Sequence, residues 1–127
     1  MRDYFNSEDI SAEIRDLTFD AKDDTIMFSH PENLAEIYSP EYCSGYKDAS
    51  LFMLRKIRRL GVKLNKEKVR KGTIIKKLPL IQIMMNDIKL AMIPYPETDE
   101  EYGRNDCLDS YFSFFKYLME NFKDDTE

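Results

Sequence analysis

The side chains able to do chemistry are few and scattered. His30 is the only histidine in the 127-residue chain, and Cys43 and Cys107 are the only cysteines. A cysteine nucleophile needs a histidine base that is itself held by a third group. Cys43 lies next to Ser44-Gly45, a loop-like context with no recognisable orienting residue, so no catalytic residue is assigned. His30 precedes Pro31 and reads as the residue before a helix start. One histidine and two separated cysteines do not match a zinc-site spacing, so neither a metal nor a cofactor is expected. Both thiols are expected to be buried and free, as in a reducing cytosol.

Carboxylates are plentiful at Asp20, Asp23 and Asp24, and again from Glu97 to Glu101. Metal-dependent nucleases hold an acid and an acid-x-Lys pair on adjacent strands, so that metal and lysine flank the scissile phosphate. Asp87-Ile88-Lys89 is the only acid-x-Lys on an expected strand. It falls at a predicted turn, where Asp is favoured by turn geometry alone. A nuclease-like enzyme is therefore the second alternative and not the leading reading. The four glycines, Gly45, Gly61, Gly72 and Gly103, punctuate the chain and form no phosphate loop.

Charge is the most uneven property of the sequence. Between Arg55 and Lys77 stand eleven basic residues against a single acid, Glu67, in a chain whose net charge is -5. Arg55, Lys56, Arg58, Arg59, Lys63 and Lys66 form its first part, a patch able to meet a partner or nucleic acid. No aromatic residue interleaves it to stack on bases. The rest of the chain is correspondingly acidic. Glu97, Asp99, Glu100 and Glu101 beside Tyr102 combine carboxylates with an aromatic anchor, which suits a protein interface. An acidic protein of this kind can cover a basic, nucleic-acid-cleaving enzyme, because the field that attracts nucleic acid attracts it too.

The elements that must carry these groups follow from hydrophobic periodicity. Residues 7–16 read as a helix with Ser7 at its start and Ile10 and Ile14 four apart. Leu17-Thr18-Phe19 and Thr25-Ile26-Met27-Phe28 around an acidic turn read as a hairpin, or else the first helix runs on through Leu17. Pro31 opens a further turn of helix to about Tyr38, and Pro40 and Ser44-Gly45 mark a loop. A central helix from about Lys47 to Leu60 buries Ala49, Met53, Leu54, Ile57 and Leu60, turns Arg55, Lys56, Arg58 and Arg59 outward, and stops at Gly61. Asn65 caps one more turn, Lys66 to Lys71.

Residues 80–85 and 88–93 flank Asn86-Asp87 and give the strongest hairpin signal. That register buries Ile81, Ile83, Met85, Ile88, Leu90 and Met92. Thr73-Ile74-Ile75 extends the first strand. Asn105 or Asp106 starts a last helix to about Lys123, with a stripe of Leu108, Tyr111 or Phe112, Phe115, Leu118 or Met119, and Phe122. The expected fold is α+β: a small antiparallel sheet including a central hairpin at about 73–93, packed on three to four helices, in one domain over 1–127. No apolar run reaches membrane-spanning length, and the N-terminus does not read as a signal peptide.

The run Tyr111-Phe112-Ser113-Phe114-Phe115-Lys116-Tyr117-Leu118, preceded by an acidic loop, resembles the aromatic closing helix of bacterial toxin-immunity proteins of the contact-dependent growth inhibition type. The resemblance implies a cytoplasmic, non-enzymatic inhibitor that neutralises a cognate protein toxin, most often a nuclease, by covering its active site. A nucleic-acid-binding regulatory or phage-encoded protein, working through residues 55–77, is the first alternative.

Overall fold

The computed structural model describes residues 7–68 and 78–121, with side chains for 12–62 and 79–120. Among these residues the protein is all-helical. Helix α1 spans Ser7–Met27, α2 Pro40–Lys68, α3 Leu78–Ala91 and α4 Asp99–Asn121. A short 3-10 turn, Pro31–Leu34, links α1 to α2, with Pro31 in its first turn and His30 just before it.

The expected α+β fold is thus corrected, and the reason lies in the spacing of buried residues. In the segment read as the 73–93 hairpin, α3 buries Ile81, Met84, Met85 and Ile88. Those steps of three, one and three trace one face of a helix. Strand alternation would bury Ile83 and Leu90, which are instead 55% and 85% exposed. Ile81, Met85, Ile88 and Met92 satisfy both periods, and the run is short enough to carry either. Asn86 then sits inside the helix and takes a hydrogen bond from Gln82 one turn earlier, at 3.0 Å. The strand start at Thr73 and the cations from Arg70 to Lys77 lie outside the described residues.

The hairpin expected within 17–28 is also absent: α1 continues to Met27, in line with the alternative reading of a longer first helix. Its β-prone hydroxyl residues are satisfied inside the helix. Thr18 donates to the Ile14 carbonyl at 2.9 Å and Thr25 to the Ala21 carbonyl at 2.8 Å. Ile14, Leu17 and Ala21 make its buried stripe.

Helix α2 starts earlier and ends later than the pattern suggested. Ser39 caps it, its Oγ accepting the Tyr42 N–H at 3.1 Å, and Pro40 occupies the first helical position. Ser44, Gly45, Gly61 and Asn65 all lie within the helix, so none of them is a loop or a stop. The expected buried face is correct: Ala49, Met53, Leu54, Ile57 and Leu60 are all in the core.

Helix α4 begins at Asp99 and not at Asn105, because Thr98 and Glu101 form a capping box. The Glu101 N–H donates to Thr98 Oγ1 at 3.2 Å, and the Thr98 N–H donates back to Glu101 Oε1 at 3.1 Å. Asn105 instead pins the connection from α3: its side chain accepts the Ile93 N–H at 2.9 Å and donates to the Ile93 carbonyl at 2.8 Å. The expected stripe on α4 holds, with Leu108, Tyr111, Phe115 and Leu118 buried and Phe112 and Met119 packed beside them. Phe122 lies outside the described residues.

The central pair is α2 and α4, and they run parallel. A Cβ on Gly45 would overlap the Glu100 carbonyl, and one on Gly103 would overlap the Tyr42 carbonyl. The two backbones therefore touch at a crossing that only glycine permits. Further along, Ser50 Oγ lies 3.3 Å from Cys107 Sγ. Helix α1 runs antiparallel to α2, with Ile14 beside Gly61 and Phe28 stacked on Tyr46 at 3.9 Å. Helix α3 packs antiparallel to α4 and is tied to α2 by a Lys56–Asp87 ion pair of 3.0 Å. One core cluster takes residues from all four helices.

Candidate functional site: an acidic cleft and a basic helix face

Asp20, Asp23 and Asp24 are spaced three and one apart near the end of α1. On a helix that spacing puts all three on one side. They line a cleft of about 600 Å³ whose other wall is Ser110, Tyr111, Ser113 and Phe114 of α4, with Leu17 and Tyr46 also lining it. Tyr111 donates its hydroxyl to Asp24 Oδ2 at 3.0 Å, fixing one carboxylate in place. Tyr46 is held by its stack on Phe28. Among the described residues no lysine or arginine lies within ion-pair distance of Asp20, Asp23 or Asp24.

The electrostatics of this cluster are unfavourable locally. Burial holds the Asp24 carboxyl above its ordinary value, and the charges of Asp20 and Asp23 push it the same way, against the Tyr111 hydrogen bond. Burial and the nearby Asp24 charge raise the Tyr111 phenol. Asp24 also stands in the last turn of α1, where the helix dipole favours cations. Phe19, 58% exposed, lies on the same helix next to Asp20. The sequence did single out these carboxylates, but as a turn between strands. Their 20, 23, 24 spacing was the signal that they share a helix face.

The acidic stretch expected to be an interface has a structural role instead in two of its members. Glu101 accepts N–H bonds from Glu97 and Thr98, and the Glu97 bond above all lowers its pKa. Asp99 accepts the Ser39 hydroxyl at 2.8 Å, joining the starts of α4 and α2. Glu97, Glu100 and Tyr102 remain exposed. Acids in the first turn of a helix are also what its dipole favours.

The basic patch divides in a similar way. Arg55, Arg58 and Arg59 are exposed on α2, as expected. Lys56 is not part of that free face: it bonds Asp87 of α3 and lies 5.5 Å from the Phe52 ring centroid. Lys63 and Lys66 stand within α2, and their side chains lie outside the described set.

The acid-x-Lys idea loses its geometry. Asp87 and Lys89 are two residues apart on a helix, roughly 200° around it, and Lys89 lies 5.2 Å from the Phe112 ring centroid. Cys43 and Cys107 are both buried and free, Cys43 within a helix and not a loop. Burial raises both thiols, Cys107 to about 12. His30 is exposed and near Glu32 at 3.3 Å. Among the described residues no cluster of three or more His, Cys, Asp or Glu is arranged to hold a metal, and no helix is long and apolar enough to cross a membrane. Comparison with protein-family models, with curated proteins and with solved structures finds no match to this chain.

Proposed function

We propose that the chain is a non-enzymatic binding protein that offers the acidic cleft between α1 and α4 to a basic surface on a protein partner. An immunity-type inhibitor of a cognate nuclease toxin is the reading that fits this best. The observation that carries it is the Asp20, Asp23 and Asp24 cluster. It is like-charged, without a cationic partner among the described residues, and its own charges together with burial disfavour the ionised Asp24. Folds rarely retain such a cluster for stability, and an external cation would relieve it. The cleft's aromatic lining and exposed Phe19 supply the apolar contact that charge alone lacks. A nuclease active site presents the matching cations, which would also speed association.

The test is co-expression with the product of an adjacent gene encoding a nuclease-type toxin. A stable complex and loss of nuclease activity on mixing are expected. Asp20→Lys/Asp23→Lys, changing two exposed side chains, should weaken the complex by at least about tenfold, mainly through long-range attraction. A toxin left fully active by the wild-type chain would sink the reading. Unchanged inhibition by the double variant would move the interface away from the cleft.

A further inference from the structure

We propose that the outer face of α2 at Arg55, Arg58 and Arg59 binds the phosphate backbone of double-stranded nucleic acid. The proposal is independent of the acidic cleft. The three arginines are spaced three and one apart, so they share one side of the helix and project together. All three are exposed, and among the described residues no carboxylate lies within ion-pair distance of any of them. The fold does pair a cation on this stretch when it needs to, turning Lys56 onto Asp87.

Two structural explanations fall short. Complementing the helix dipole is a last-turn effect, and α2 runs on to Lys68, well past Arg59. Packing is also a weak reason: all three side chains are exposed, Arg59 only edging the groove between α2 and α3, while Ile57 and Leu60 fill the core. What remains is a fork of guanidinium groups, the geometry that grips phosphate oxygens in pairs. A duplex fits better than a single strand: from Leu54 to Val62 the helix has no aromatic side chain for a base to stack on.

The experiment is fluorescence anisotropy with a labelled duplex of about 20 base pairs, at roughly 50 to 200 mM salt. Binding should weaken steeply as salt rises and be indifferent to base sequence. Each single Arg55→Gln, Arg58→Gln or Arg59→Gln should reduce the salt slope by about 1. The triple variant should lose at least about tenfold in affinity at low salt, with its far-UV spectrum unchanged. Absence of duplex binding at low salt would overturn the proposal. So would a triple variant that binds like the parent, or an acidic peptide that binds this face while the duplex does not.

Discussion

At the residue scale the most informative side chain is Asp24. It is half-buried, hydrogen-bonded to Tyr111 and pressed by two neighbouring carboxylates. Its carboxyl is raised above the ordinary 3.8, so the folded state holds that proton more tightly than the unfolded chain. The group therefore costs stability at neutral pH, and the cost vanishes once pH falls below 3.8, where both states are protonated. Asp24→Asn keeps an acceptor for the Tyr111 hydroxyl and removes the charge. Its thermal midpoint should exceed that of the wild type at pH 7, and the difference should close as the pH approaches 3. A variant less stable than wild type at pH 7 would show that the carboxylate is compensated in place. The cysteines are the opposite case: raised and buried, they carry the chemistry of packing and not of reaction.

At the scale of elements α3 decides the fold class. Helix and hairpin assign opposite positions to Ile83 and Leu90, yet both bury Ile88. In α3 Leu90 is almost wholly exposed, while Ile88 is fully buried. Leu90→Glu should therefore change unfolding free energy by no more than about 0.5 kcal/mol. Ile88→Ala should cost about 2–5 kcal/mol by opening a cavity in the core. Chemical denaturation of the two variants checks both, and a large loss for Leu90→Glu would show that its side chain is buried in solution. Helix α4 teaches a related lesson about its start. Thr98-x-x-Glu101 is a capping box, and it was legible in the sequence. Its acids resemble a binding loop as well, because carboxylates in a row look alike whether they cap a helix or meet a partner.

The whole molecule is organised by one contact, the crossing of α2 and α4. Gly45 and Gly103 let two parallel backbones touch, and Ser39, Asp99, Tyr42 and Asp106 reinforce the contact, the Tyr42 hydroxyl reaching Asp106 at 2.6 Å. Parallel helices place their dipoles side by side in the same sense. The sequence answers with acids at the shared N-terminal end, Glu41, Asp99, Glu100 and Glu101. These four acids are thus placed where the packing favours negative charge. Gly45→Ala or Gly103→Ala should destabilise by about 3 kcal/mol or more, because backbone must move to admit the methyl group. Gly61→Ala should do the reverse. Its nearest neighbour is the Ile14 Cγ2 at 3.8 Å, so the methyl group fits and helix propensity improves by about 0.5–1 kcal/mol. Thermal melts of the three variants would separate a glycine that positions helices from one that merely tolerates its place.

The sequence by itself determined the buried face of α2, the aromatic stripe of α4 and the concentration of basic residues between Arg55 and Lys77. Each rests on a local property: a period of 3.6 over several turns, or a simple excess of one charge. Only the tertiary structure decided that residues 80–91 are helical, since their alternation suited either period until a partner surface chose the buried set. It also decided where α2 begins and ends, because Gly45 is a break in isolation and a contact in the fold. The basic segment was narrowed in the same way. Helical phase turned four cations outward, but only packing against α3 withdrew Lys56 and left Arg55, Arg58 and Arg59 free of carboxylate partners among the described residues.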